Sequence, residues 1–226
     1  MNHINRLFLS ILLILKFNVI FANENDLQSW NIITMTKSQS YLTYSLESQL
    51  RFGDDTSRLS QAIIRPSIGY ELTKQHSLWL GYGWIYTTKP FSNQSFDEHR
   101  LWQQYLFMQE YALGKISVRT RLEERFIEGT SKTGFRLREL IKIQRPFVHT
   151  MPFYIVGSNE IFIQVNNTIK TGNNSGFEQN RLFIGFGFYP EKKWSLELGY
   201  QSQIINRIGQ PTFNGNAIIV NLLGAF

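Results

Sequence analysis

Through most of this chain apolar residues fall on every second position, and the alternation breaks at near-regular intervals. The final segment shows it most clearly. Phe226, Gly224, Leu222, Val220 and Ile218 share one face, while Ala225, Leu223, Asn221, Ile219 and Ala217 share the other. Turn-forming stretches at Gly53–Ser57, Thr73–Gln75, Lys89–Ser95, Leu113–Gly114, Glu128–Gly134, Arg145–Pro152, Thr168–Gly176, Pro190–Lys193 and Asn206–Pro211 punctuate the pattern. Between them the period of two predicts strands near 41–52, 59–72, 77–88, 98–112, 115–127, 135–144, 153–167, 177–189, 194–205 and 213–226. Residues 29–36, around Trp30, are an optional further strand that either pairs at a closure or stays free.

Segments of this length suit tilted membrane strands, which need about 9–11 residues to cross. One face of each is apolar. Ala62, Ile64, Ile68, Tyr70 and Leu72 form such a face, as do Leu182, Ile184, Phe186 and Phe188, and Trp194, Leu196, Leu198 and Tyr200. The expectation is an all-β protein, a closed antiparallel transmembrane barrel of about ten strands, alternatively twelve. An even count puts both ends of the barrel at the same membrane surface. The short connections 73–75, 113–114 and 190–193 then mark the periplasmic side, and 145–152 is a longer exception.

The N-terminus adds a compartment. Met1–Arg6 is polar, Leu7–Leu15 is apolar, Lys16 interrupts the run, and Phe17–Ala22 leads to a cleavage position after Ala22. That order predicts a secretory signal peptide over 1–22, since the apolar run is far shorter than a spanning helix. The predicted organisation is 1–22 signal peptide, 23–40 an N-terminal periplasmic segment or short strand, and 41–226 the barrel. The chain contains no cysteine, so sheet hydrogen bonding and packing must hold an exported fold together. Aromatic residues make up 15%, with 18 Phe and 10 Tyr, in keeping with girdles at two membrane interfaces. Losing the signal removes Arg6 and Lys16, leaving 21 of the 23 basic residues against 17 acidic ones. That modest excess does not argue for nucleic acid. Phe226, a terminal aromatic closing an amphipathic strand, is similar to the sorting signal read by the barrel-assembly machinery.

Candidate chemistry concentrates on segment 115–127. Arg119, Arg121, Glu123 and Arg125 lie on one face, opposite Ile116, Val118, Thr120, Leu122, Glu124 and Phe126. An Arg or Lys facing lipid at mid-membrane costs about 2–4 kcal/mol, so this ladder must face the lumen and Glu124 must sit near the outer interface. Arg136, Arg138, Lys142 and Gln144 repeat the pattern on the next strand. If the intervening turn pairs Ile127 with Gly134, Glu123 lies opposite Arg138 and Arg125 opposite Arg136. Glu47, beside Gln49 and Arg51, and Glu160, beside Gln164 and Asn166, are the candidate acids from across the lumen, and Arg181 joins the same lining. Two roles compete: Arg–Glu pairs that brace a narrow lumen, or the lining of a small pore for anionic solutes.

The blocks Glu98-His99-Arg100-Leu101-Trp102-Gln103-Gln104, Arg119-x-Arg121-x-Glu123-Glu124-Arg125, Arg136-x-Arg138, Glu160, and Phe177-x-Gln179-Asn180-Arg181 leading into Gly185 and Gly187 resemble an uncharacterised bacterial barrel family, domain of unknown function 2490. The resemblance runs through nearly the whole mature chain. It implies an outer-membrane barrel with no established activity, and it carries over no catalytic residue.

Enzyme chemistry has little to stand on. Of four histidines, His3 leaves with the signal, and His76 and His149 fall at predicted periplasmic connections. No metal-ligand spacing or phosphate loop occurs, so no metal or other cofactor is expected. Gly185 and Gly187 are expected as small lumen-side residues in a strand. One catalytic alternative uses Asp97 and His99 with Asp54-Asp55 at the outer rim, an arrangement similar to omptin-type outer-membrane proteases, although the aspartates here are adjacent and the chain is shorter. The expectation is therefore a small channel or envelope-structural barrel in the outer membrane of a Gram-negative bacterium. Its partners would be membrane lipids and lipopolysaccharide, the assembly machinery during insertion, and small solutes, with no nucleic acid.

Overall fold

The computed structural model describes residues 24–148, 151–167, 175–207 and 211–226. The predicted signal peptide, with its cleavage position, lies outside them, as do His149 and the central part of the 168–176 loop. Among the described residues eleven strands make up the fold: β1 Glu24–Gln39, β2 Leu42–Gly53, β3 Arg58–Glu71, β4 His76–Thr87, β5 Phe96–Tyr111, β6 Gly114–Ile127, β7 Gly134–Pro146, β8 Phe153–Gln164, β9 Gly176–Glu191, β10 Trp194–Ile205 and β11 Phe213–Ala225. Each strand pairs with its sequence neighbours, and β1 pairs with β11, so the sheet closes into a barrel without a free edge.

The strand count corrects the even number expected from the sequence. Ten of the strands match the predicted spans to within a few residues. The eleventh is β1, which contains 29–36 and runs antiparallel to β2 but parallel to β11, with Glu24 beside Phe213 and Thr36 beside Ala225. An odd number of sequentially paired strands can close only through one parallel seam. The barrel is therefore not wholly antiparallel, and residues 24–39 are barrel wall rather than a free segment or short strand. The start of β1 and the end of β11 consequently lie at opposite ends of the barrel.

One end carries the tight connections, 40–41, 72–75, 112–113 and 192–193, together with the longer 147–152. The other carries 54–57, 88–95, 128–133, 165–175 and 206–212. At this long-loop end Asp54, Asp55 and Thr56 all adopt left-handed backbone, a conformation that Asp tolerates better than most residues. Asp54 pairs with Arg58 at 3.3 Å. The Asp55 N–H donates to Asp26 Oδ1 at 3.1 Å and the Thr56 N–H to the Leu27 carbonyl at 3.0 Å, tying this loop to the start of β1.

Alternation sorts every strand into a wall-outward and a lumen-inward face. Outward residues form a continuous apolar belt, including Leu80, Ile141, Ile184, Phe186 and Leu198, each more than half exposed. Aromatic residues gather at its two borders. Tyr41 and Tyr70, Phe153 and Phe188, and Trp194 and Phe226 meet at the short-loop border, with ring centroids 6.3, 4.9 and 5.5 Å apart. The few outward polar groups mostly satisfy one another: Thr120 Oγ1 donates to Glu139 at 2.8 Å, Gln103 to Glu124 at 3.3 Å, and Asn159 and Asn180 exchange bonds of 3.2 Å.

Inside, packing divides the lumen. Beneath β1, β8, β9 and β11 lies an apolar cluster of Trp30, Tyr154, Val156, Phe183, Ala217 and Ile219. Large inward rings lie flat over glycines of the adjacent strand, Trp102 over Gly81 and Tyr154 over Gly187. A Cβ built at Gly81 would stand 2.1 Å from the Trp102 ring. Gly81→Ala should therefore force the indole to shift, lowering stability by about 1–3 kcal/mol, read as a lower urea midpoint for the refolded barrel.

Candidate functional site: an arginine-rich lumen

The inward positions of β2 to β9 carry a network of nine arginines, Arg51, Arg65, Arg100, Arg119, Arg121, Arg125, Arg136, Arg138 and Arg181. Five glutamates, Glu47, Glu98, Glu123, Glu160 and Glu178, face them. Alternation delivers these groups from separate strands because a guanidinium on the outward face would lie against the apolar belt, whereas the lumen offers acceptors.

Glu123 is the centre of the network and fully buried. Its carboxylate accepts from Arg136 Nη2 at 2.5 Å and Arg138 Nη1 at 2.6 Å, with Arg100 at 3.8 Å and Arg121 at 4.0 Å. Glu160 accepts from Arg138 at 2.7 Å and also from Arg119. Glu98 holds Arg100 at 2.7 Å and Arg125 at 2.5 Å, and Glu178 joins Arg125 and Arg136, each at 3.3 Å. At the short-loop side Lys142 pairs with Glu197 at 2.7 Å, to which Gln144 and Tyr154 also donate.

The expected β6–β7 register is corrected by two residues. Arg125 lies opposite Gly134, Glu123 opposite Arg136 and Arg121 opposite Arg138. The cause is stagger: Phe126 and Ile127 stay paired with β5, and the Glu128 N–H still donates to the Asp97 carbonyl at 2.9 Å. The turn begins beyond them, with Thr130 bonded to the Ile127 carbonyl. Glu160 accepts from Arg119 and Arg138 of the ladder. Glu47 instead takes Arg65 of the adjacent strand at 2.7 Å.

Two arginines of this network have no carboxylate within ion-pair distance among the described residues. Arg51 is held by the Gln49 carbonyl at 2.6 and 3.0 Å and the Gln61 carbonyl at 3.0 Å, and lies 3.7 Å from the Trp30 ring centroid. Arg181 lies between Trp30 and Phe162, at 4.8 and 4.6 Å. The opposite face of the network has a third aromatic support, Trp102 at 3.9 Å from Arg121. Trp30 is itself anchored, its Nε1 donating to Gln28 and Gln28 in turn to Asp26, both at 2.8 Å.

Above this layer a cavity of about 490 Å³ lies towards the long-loop end. Arg51, Arg65, Arg100, Arg125, Arg136, Arg138, Arg181 and Arg207 line it, with Glu98 and Glu178, and residues 90–96 frame its mouth. Phe91 meets Phe213 edge-on there, at 6.2 Å. A smaller cavity of about 130 Å³, bounded by Glu47, Arg65, Trp102, Gln104 and Arg121, occupies the other half. Arg65 lines both cavities, and Phe162, which lines the larger one, is 1% exposed.

The rim residues of the hydrolase alternative do not converge. His99 points out of the barrel, its Nδ1 hydrogen-bonded to Tyr82 Oη at 2.5 Å. Asp97 shares that outward face and accepts from Trp84 at 2.9 Å. Asp54 pairs with Arg58 within its turn, and Asp55 is tied to Asp26 and Leu27 of β1. The terminal Phe226 packs on Trp194 and its N–H donates to the Thr36 carbonyl at 2.9 Å.

The lumen lining expected from the sequence omits Arg65, Glu98, Arg100, Glu178 and Glu197. Face parity alone would have found all but Glu178. A bulge between Phe162 and Ile163 places Gln179 beside Phe162 but Phe177 beside Ile163, turning both Glu178 and Gln179 inward.

Glu123→Gln removes the charge on which Arg136 and Arg138 converge. Leaving two buried guanidiniums undercompensated should cost about 3–5 kcal/mol, measured by urea unfolding, with Glu124→Gln as the outward-facing control.

A protein of Methylorubrum extorquens, itself uncharacterised, is 30% identical over 179 residues, covering 79% of this chain and 78% of its own length. Residues 27–214, from β1 into β11, match the profile of the family described as protein of unknown function DUF2490. This arginine-lined barrel therefore belongs to the DUF2490 family.

Proposed function

We propose that the chain is an outer-membrane β-barrel of a Gram-negative bacterium with an envelope-structural role, its lumen braced shut by the Arg–Glu network. The observation that carries the membrane assignment is the apolar belt that circles a closed barrel. In water so much contiguous apolar surface would be an aggregation liability, whereas in lipid it is the required solvent-facing side. Aromatic residues at both borders support the same reading. The short-loop end then faces the periplasm and the cavity opens outward.

Membrane lipids and lipopolysaccharide are the surrounding partners, and a signal peptide over 1–22 fits the export route. Phe226 is the residue for the assembly machinery to read. No catalytic role is assigned. The bracing assignment rests on the burial of Glu123, its arginines and Phe162, because an open conduit needs hydrated side chains along its whole length. A second reading, a gated small channel for anionic solutes, draws on one feature: Arg65 borders both cavities, so its displacement could join them.

Planar-bilayer recording separates the two. The braced barrel gives no reproducible single-channel steps, and Arg121→Ser lowers stability without producing current. Reproducible anion-preferring steps that change in Arg121→Ser would replace bracing with permeation. Deleting Phe226 should reduce the fraction of chain recovered folded in outer-membrane fractions, scored by heat-dependent gel migration. Unchanged recovery would remove Phe226 from the assembly signal.

A further inference from the structure

We infer that the cavity at the long-loop end is a binding site for a multiply charged phosphate-class anion, gripped by Arg51 and Arg181. This goes beyond the bracing role and holds whether or not the lumen conducts.

Charge is the first argument. The network sets nine arginines against five glutamates, an excess of four positive charges inside a side-chain-filled tube. Buried charge without a counter-charge is strongly unfavourable. A purely structural brace would be closer to balance, as Lys142 and Glu197 are at the other end of the lumen.

Placement is the second. The imbalance is concentrated where there is space. Arg51 and Arg181 both border the cavity, and neither has a carboxylate within ion-pair distance among the described residues. Both guanidiniums are drawn onto one indole, Trp30, although they repel. Amide oxygens and aromatic faces orient a guanidinium while leaving its charge in place. Gln49, Gln61, Trp30 and Phe162 thus hold the forks in position without neutralising them.

Chemistry selects the ligand. Planar guanidinium forks match phosphate oxygens in bidentate geometry. An excess of four charges favours an anion carrying several negative charges over chloride. A volume of about 490 Å³ falls within the range of small-molecule sites, so a phosphorylated solute fits, as does a lipid phosphate headgroup reaching in from the rim.

The test is calorimetric titration of inorganic pyrophosphate into the refolded protein in nonionic detergent. The expected result is saturable single-site binding that weakens with salt, and an unfolding midpoint that rises with pyrophosphate. The double variant R51Q/R181Q should bind at least tenfold more weakly and lose the midpoint shift. It should keep its heat-dependent gel migration, because it relieves repulsion instead of leaving a charge unpaired. Lys142→Gln should bind as the wild type does. Competition by phosphatidic acid in mixed micelles would assign the site to a headgroup, and its absence to a free solute; either outcome supports the site. Absence of saturable binding, binding matched by equal chloride, or undiminished binding by the folded double variant would overturn it.

Discussion

Every inward-facing guanidinium of this barrel needs an acceptor inside the lumen, and that requirement organises the rest of the structure. An arginine cannot turn outward into an apolar belt, nor can it stay unsolvated inside without hydrogen-bonding oxygens. Glu123 answers it for four arginines at once, because inward positions on adjacent strands lie near enough for one carboxylate to reach direct and diagonal neighbours. Where carboxylates run out, glutamine carbonyls and aromatic faces take over. The network is thus graded, fully ionic around Glu123 and amide- and ring-supported around Arg51 and Arg181. That gradient separates a region whose charges are spent on each other from a region whose charges remain available.

The apolar side of the lumen follows from the same constraint. Filling a barrel of this width with ion pairs throughout would bury more charge than the available acids could balance. The wall beneath β8, β9, β11 and β1 instead uses large rings and small residues, such as Tyr154 over Gly187. Flat rings fill volume without polar demands, and the one hydroxyl among them, on Tyr154, is met by Glu197 at 3.1 Å. A ring on one strand and a glycine on the next therefore form a single packing unit.

Much of this was legible in the chain itself, for a definite reason. Period-two alternation is a local property, so strand positions, inward faces and the polar ladder could be read from it. Arg119, Arg121, Glu123 and Arg125 face inward as their spacing requires. Partner choice was not legible, since it depends on stagger between strands. The two-residue difference at the β6–β7 turn exchanges Arg138 for Arg136 opposite Glu123 while leaving every side chain on its predicted face. The bulge that turns Glu178 inward is still less visible, because it breaks the alternation by which inward residues are found. His99 marks a different limit. Its rim position was readable, but its partner was not: lying between inward Glu98 and Arg100, it turns outward to Tyr82 of the adjacent strand.

Strand β1 was the least legible element, and the cavity at the long-loop end depends on it. Its inward residues Asp26, Gln28 and Trp30 form a hydrogen-bonded file that ends in the indole supporting both Arg51 and Arg181. A ten-stranded barrel closing β2 directly on β11 would keep the Arg–Glu core around Glu123, which lies on β5 to β9. It would lose Trp30, and with it the platform that holds two like charges side by side. The odd strand count and the parallel seam therefore do more than close the sheet. They bring in Trp30, the ring that Arg51 and Arg181 share, which couples the topology of closure to the chemistry of the cavity.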